Sequence, residues 1–311
     1  MASVRRRYPE PVPVDPDLDA PQALAEVRRG ILRWYAAAHR DFPWRGTTDA
    51  WAVLVSEVML QQTQASRVSE RFPDFMARFP TPRAMAGARD RDVLAAWSGL
   101  GYNRRALALR RAAIAVARSG WPTDVSGLEE LPGIGPYTAR ALAALALGQP
   151  VGAVDTNVRR WLTRRFGMQA DAGPRALQRL ADRLAAPAAD ARQAADWMHA
   201  SMEFGARVCR ARTPRCGGCP IAEACPSRGL TLHVPVTRQA PFIGSVRAAR
   251  GAILRQLSGA PGHALPADRL VDAHGDRVTE IVDALERDGL AHRADGHVYL
   301  GPREPAATIE A

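Results

Sequence analysis

Four cysteines, Cys209, Cys216, Cys219 and Cys225, fall in one 17-residue window at the spacing C-x6-C-x2-C-x5-C, and the chain has no others. Thiols gathered this closely in a reducing compartment are metal ligands rather than unrelated buried side chains. Structural zinc usually pairs two short C-x2–4-C knuckles, and only Cys216-Gly217-Gly218-Cys219 qualifies. The spacing also differs from the common ferredoxin patterns. Spacing alone therefore gives a metal held by four sulfurs and leaves zinc and iron–sulfur both open. Arg207, Arg210, Arg212 and Arg215 decorate the same loop, as a knot that presents cations to phosphates would.

Two carboxylates stand out. Glu57 is the lone charge in Ala52-Val53-Leu54-Val55-Ser56-Glu57-Val58-Met59-Leu60, a helix apolar on nearly every side. Desolvation there raises a carboxyl pKa and keeps it protonated near neutrality, ready to act as an acid; the plainer role is a salt bridge to a neighbouring Arg. Asp155, in VGAVDTNVRRWLTRR, either caps the following helix or does chemistry. Between them lies SGLEELPGIGPYTAR, where Ser126 and Glu129 suit a capping box and Pro132-Gly133-Ile134-Gly135 turns the chain into Pro136. Gly133 and Gly135 let backbone N–H groups approach an anion at a helix N-terminus, although a lone G-x-G is usually only a tight turn. Arg159, Arg160, Arg164 and Arg165 make the helix after Asp155 strongly basic, and GYNRRALALRRAAIAVAR has no acidic residue.

The 311 residues carrying these groups are 47% hydrophobic and 24% charged, enough for a real core. A formal charge of +10 suits a polyanionic partner. All 42 basic residues are Arg; with no Lys, a lysine Schiff base is excluded. The N-terminus lacks the apolar stretch of a signal peptide, and no run approaches the ~20 residues that span a bilayer, so a cytosolic protein without membrane contact is expected. Residues 1–20, rich in Pro, Arg and Asp, read as a disordered tail. From Pro21 to about Arg207 apolar residues recur at helical spacing between Pro/Gly punctuation, which predicts an all-α body over 21–228 with the cysteine loop at 209–225. A linker at 229–244 precedes a unit at 245–303, with a tail at 304–311. Three helical stretches and a hairpin turning on Asp295-Gly296 give that unit a winged-helix-like order; a small helical cap is the alternative.

LPGIGPYTA, then VDTNV, then the four cysteines at this spacing together resemble the helix-hairpin-helix DNA glycosylases related to endonuclease III, over about residues 25–228. The resemblance implies that fold and a [4Fe–4S] cluster on Cys209, Cys216, Cys219 and Cys225. The lyase members have a catalytic Lys in the hairpin motif where this chain has Tyr137. DFPWR…WAVLVSEVMLQQTQ closely resembles the A/G-specific adenine glycosylases (MutY-like), which carry their catalytic Glu at the place of Glu57. This second likeness implies a monofunctional base-excision enzyme that flips a purine out of duplex DNA. Glu57 protonates the departing base, and Asp155 stabilises an oxocarbenium-like sugar. The resemblance also implies that Gln62 and Tyr102, with Thr63 and Leu100 nearby, fill the stack and meet the opposing base. Trp44, Arg45, Leu60 and Tyr137 line the base pocket. Gly133, Gly135, Arg159, Arg210 and Arg212, with Asn157 beside them, belong to the DNA-facing set. The product is an abasic site without strand cleavage, and the enzyme acts as a monomer on the DNA of the cytoplasm and nucleoid.

Three departures bear on specificity. Ala65 stands where the family usually has Val, and His199 where it has Glu or Gln, both in the adenine pocket; a helix-surface place is the plainer role for His199. The roughly 80 residues after the cysteines contain no Phe-Ser-His, the loop with which a Nudix-like domain recognises 8-oxoguanine in many family members. A glycosylase for another, for example alkylated, purine and a non-catalytic iron–sulfur DNA-binding protein are the competing readings.

Overall fold

The computed structural model describes residues 20–167, 173–230, 245–275 and 277–303. The expected tails and nearly all of the expected linker lie outside them. The body is helical throughout: α1 (Pro21–Ala38), α2 (Ala50–Leu60), α3 (Ala65–Arg78), α4 (Pro82–Ala86), α5 (Asp90–Ala96), α6 (Arg104–Ser119), α7 (Val125–Glu129), α8 (Pro136–Leu145), α9 (Thr156–Arg165), α10 (Pro174–Ala185) and α11 (Ala191–Arg207). Proline or a short polar cap opens many of them. Pro136 follows Gly135 at the start of α8, and Asp49 accepts the Trp51 N–H at 3.1 Å to start α2. The cap of α7 differs from the expected capping box. Asp124, in extended backbone, accepts the Gly127 N–H at 2.8 Å, so the helix starts earlier and Ser126 lies inside it.

These helices enclose two apolar cores. The larger is built from α2 through α8 and includes the fully buried Trp51, Trp97, Phe75 and Leu142. The smaller gathers α1, α9, α10 and α11 around Ile31, Trp161, Leu184 and Phe204. Helix α11 serves both, with Met198 in the first core and Trp197, Ala200 and Phe204 in the second. The seam between the cores therefore runs along α11, past α8 and the start of α9.

The C-terminal unit comprises α12 (Val246–Gly259), β1 (Ala264–Pro266), α13 (Ala267–His274), α14 (Val278–Arg287), β2 (Ala291–Ala294) and β3 (His297–Leu300). Its antiparallel sheet has the order β1-β3-β2, with Ala264 and His292 flanking Tyr299. Asp295 and Gly296 both take left-handed backbone (φ 49° and 72°), the geometry a two-residue hairpin needs. The three-residue β1 completes a winged-helix-like arrangement and is too short to show alternation in the sequence. The unit is not a loose appendage. Ile253, Leu254, Leu285 and Leu300 join the larger core, α12 and β3 pack on α5, and Asp288 bridges Arg250 to Arg104 at the start of α6. No helix among the described residues is long and apolar enough to cross a membrane.

Candidate active site and nucleic-acid interface

Glu57 occupies the middle of α2, 5% exposed, and packs into the seam. Burial drives its pKa up to about 7; the Tyr137 hydroxyl opposes the rise and the nearby Asp155 adds to it. Tyr137 reaches Glu57 from the first turn of α8, directly after the hairpin. Its hydroxyl lies between Glu57 and the Met202 sulfur (3.0 Å), and the carboxyl oxygen is the stronger acceptor. Asp155 is the N-cap of α9: its carboxylate accepts the Val158 N–H at 2.6 Å and the Asn157 side-chain amide at 2.7 Å. Burial raises its pKa as well, but those donors and Arg160 pull it back. Capping α9 and facing the acid are thus one position.

Of the expected base-pocket residues, Tyr137, Arg45 and His199 meet at this seam. Trp44 is buried, stacked on Phe42 with centroids 4.7 Å apart and edge-on to Phe72. Leu60, the last residue of α2, and Ala65, the first of α3, are half-buried on either side of the turn. Arg45 is held by Glu203, a residue that sequence reasoning missed. The Glu203 side chain is fully buried and receives Arg45, the Arg40 Nε at 3.0 Å and the Arg207 Nη1 at 3.1 Å. Its only sequence signals are its place one turn after His199 and one turn before Arg207. His199 is half-buried on α11, between the buried Met198 and Ala200. Burial and the Arg45 charge push it down to about 4, which leaves a neutral imidazole at physiological pH beside the guanidinium.

Two loops flank the mouth of the site. Gln62 and Tyr102 both adopt left-handed backbone (φ 56° and 47°), and both are exposed, Tyr102 by 42%. Gln62 therefore sits in a turn beyond α2 and Tyr102 outside the core. Such backbone is unfavourable for side-chain-bearing residues and persists only where the surroundings impose it. Leu100 differs from the expectation: its side chain is buried in the larger core, and it offers the loop only its carbonyl, which accepts the Thr63 hydroxyl at 3.2 Å.

In the hairpin, Gly133 has φ 79°, and a Cβ there would lie 2.6 Å from that of Ala108 on α6, so both backbone and space require glycine. Gly135 caps α8 with open space before it. On α9 only Arg159 is exposed among the four arginines. Arg160 turns inward to the carbonyls of Cys209 (2.7 Å) and Gly205 (2.6 Å) and to the Asn157 Oδ1 (2.8 Å), so Asn157 links Asp155 to Arg160 rather than pointing outward alone. Arg164 and Arg165 are buried too. The basic face read from the sequence is largely an internal clamp on the cysteine loop. In that loop Arg210 folds onto Thr213 and Arg207 onto Glu203, leaving Arg212 and Arg215 exposed.

Residues 55–187 match the HhH-GPD superfamily of base excision DNA repair proteins. An adenine DNA glycosylase of Mycobacterium tuberculosis is 42% identical over 257 residues, spanning 79% of this chain and 82% of that protein. One from Mycolicibacterium smegmatis is 41% identical over 278 residues, spanning 87% and 94%. The chain belongs to the adenine DNA glycosylases. A thermostable thymine-DNA glycosylase structure shares the fold, with a TM-score of 0.60 and 28% identity over 65% of this chain and 97% of that one. The adenine glycosylase is accordingly a monofunctional base-excision enzyme that hydrolyses an N-glycosidic bond. With Tyr137 in the hairpin and no lysine anywhere, it has no lysine amine for a lyase step.

Proteins of this family generally carry a 4Fe-4S cluster, and the glycosylase's cysteine loop can be tested for its fit. Cys209, Cys216, Cys219 and Cys225 line one cavity, walled by Trp161, Arg165, Phe204 and Ile221. Among the described residues no three His, Cys, Asp or Glu side chains gather as a single ion requires. Arg165 is buried against Cys219 and Cys225, and its Nε and Nη1 have no hydrogen-bond partner. The Arg164 Nη1 lies 3.6 Å from the Cys209 sulfur. Four soft ligands around a cavity, with buried cationic donors facing it, fit an anionic thiolate-bound group.

Proposed function

We propose that this glycosylase excises adenine opposite 8-oxoguanine or guanine in duplex DNA, with Glu57 as the acid and Asp155 as the charge-stabilising carboxylate. The observation that carries the assignment is the difference between the surroundings of the two groups. Burial raises both pKa values, that of Glu57 to about 7, but at Asp155 the donors of Val158 and Asn157 and the Arg160 charge all work against the rise. With the adenine flipped into the seam, Glu57 donates its proton to an imidazole nitrogen of the departing base. Asp155 faces the developing positive charge on the sugar, directly or through a transient covalent bond, and the ionised Glu57 then assists the attacking water. Tyr137 holds the Glu57 carboxyl. Trp44, Arg45, Leu60, Ala65 and His199 shape the base pocket, and Gln62, Tyr102 and Thr63 fill the vacated stack. Gly133, Gly135, Arg159, Arg210 and Arg212 meet the phosphates, while Asn157 orients Asp155.

Cys209, Cys216, Cys219 and Cys225 hold a [4Fe–4S] cluster, facing Arg164 and Arg165. The loop that would hold it is tied to α9, and thereby to the Asp155 end of the site, by Arg160 on the Cys209 carbonyl and Arg164 on the Arg210 and Ala211 carbonyls. The protein works as a monomer on cytoplasmic, nucleoid DNA.

Duplexes bearing adenine opposite 8-oxoguanine, guanine or thymine, and others bearing alkylated purines, followed by heat and alkali, test the reading. Strand scission is expected only after alkali and only for the first two. Glu57→Gln and Asp155→Asn should each cost at least about 10²–10⁴-fold in excision while DNA binding persists. Release of alkylated purines alone, or near-normal turnover by either variant, would overturn it.

A further inference from the structure

Arg105, the second residue of α6, spends its whole guanidinium on main chain and loop hydroxyl. Its Nη1 donates to the carbonyls of Val58 (2.7 Å), Met59 (3.1 Å) and Gln61 (2.5 Å), the last turn of α2 and the residue beyond it. Its Nη2 donates to the Thr63 hydroxyl (3.1 Å) and to the carbonyls of Leu100 (3.2 Å) and Gly101 (2.9 Å). The Nε points to the Tyr102 carbonyl at 3.3 Å. The same cation lies over the rings of Trp97 (5.3 Å) and Tyr102 (5.5 Å). Five N–H groups in one rigid plane can serve acceptors on two separate segments at once, which a single ammonium nitrogen does poorly.

The segments so joined are those that carry Gln62 and Tyr102, the two left-handed, side-chain-bearing residues of the helical body among the described residues. Behind them stands the last turn of α2, which begins directly after Glu57 and whose terminal carbonyls have no partner within the helix. We propose that Arg105 is a positioning residue that locks both wedge loops and the acid-bearing helix into one register, so that Gln62 and Tyr102 enter the stack together as the adenine reaches Glu57. It touches neither base nor sugar. The inference rests on the reading of Gln62 and Tyr102 as the wedge.

The test compares Arg105→Met and Arg105→Lys with Gln62→Ala and Tyr102→Ala in the full-length protein. Three quantities are measured: single-turnover excision of adenine opposite 8-oxoguanine and opposite thymine, fluorescence of 2-aminopurine in place of the target adenine, and amide exchange at 58–63 and 100–103. Arg105→Met should lower the mispaired-to-paired rate ratio and the fluorescence rise by about ten- to a hundredfold, with faster exchange confined to those two segments. Arg105→Lys, a cation without the fork, should fall between it and the parent. A parental ratio and parental exchange in either variant overturn the proposal, as does a purely global loss of thermal stability at unchanged ratio. If Arg105→Met does not fold, Arg105→Lys decides by the same criteria. If Gln62→Ala and Tyr102→Ala keep the parental ratio, the wedge reading itself has failed; if they lower it and the Arg105 variants do not, only the staple has.

Discussion

Glu57 shows how one residue can carry both chemistry and instability. In the folded protein its carboxyl holds a proton up to about pH 7, whereas an exposed Glu loses it near pH 4.5. The acid step needs the protonated form, so single-turnover excision should be flat at low pH and fall as pH rises through about 7. A rate that rose across that range would remove Glu57 from the acid role. Because the folded-state pKa is raised, the associated stability is present below the unfolded value and lost as pH rises through the folded one. The loss above pH 7 is on the order of 3 kcal/mol at most. Glu57→Gln should therefore be inactive yet gain stability over the parent at pH 8, with little difference at pH 5, measured by denaturant unfolding. Activity and stability pull in opposite directions at this position. At His199 the lowered pKa leaves a neutral ring beside the Arg45 charge at working pH.

Among the elements, α9 joins the chemistry to the metal loop. Its N-terminus holds Asp155, its middle fastens Arg160 to the Cys209 and Gly205 carbonyls, and its last turn turns Arg164 and Arg165 into the cysteine cavity. Arg165 buries its Nε and Nη1 without a hydrogen-bond partner, which is costly, so the loop should be sound only when its anionic group is in place. Purified protein is expected to contain iron and acid-labile sulfide, and Cys219→Ser should lose both along with DNA affinity and thermal stability. Zinc in place of iron, or an iron-free protein of parental stability, would refute this. The gathering of the four cysteines was legible from their spacing, and all four line one cavity. The inward turn of three basic residues was not, because helical periodicity says which residues share a face but not which neighbouring segment needs their donors.

Across the whole molecule, the winged-helix-like unit closes the larger core and does not stand apart. Ile253, Leu254, Leu285 and Leu300 join that core, α12 and β3 pack on α5, and Asp288 bridges Arg250 to Arg104, the neighbour of Arg105. The helix that would read a groove, α14, carries Glu280, Asp283 and Glu286, and the nearby Arg293 is occupied by the latter two. Such a surface repels phosphates. Removing residues 245–311 should therefore lower Tm by several degrees through exposed apolar surface. The salt slope of DNA binding should stay unchanged. A shallower slope in the truncated protein would instead show that the unit contacts DNA.

The sequence by itself determined the helical body, the hairpin with its glycines, the lysine-free chemistry, the two carboxylates and the cysteine knot. These are carried by residue type, periodicity and short spacing, which are local properties. Only the tertiary structure decided which long-range neighbours meet. It put Asp155 in the cap that faces Glu57, set Glu203 beneath Arg45, sank the Leu100 side chain into the core, turned Arg160, Arg164 and Arg165 inward, and laid Arg105 across two loops some 40 residues apart in the chain. The arginine and Glu203 contacts satisfy buried charges or carbonyls from distant segments, and nothing in the local pattern records where those partners lie.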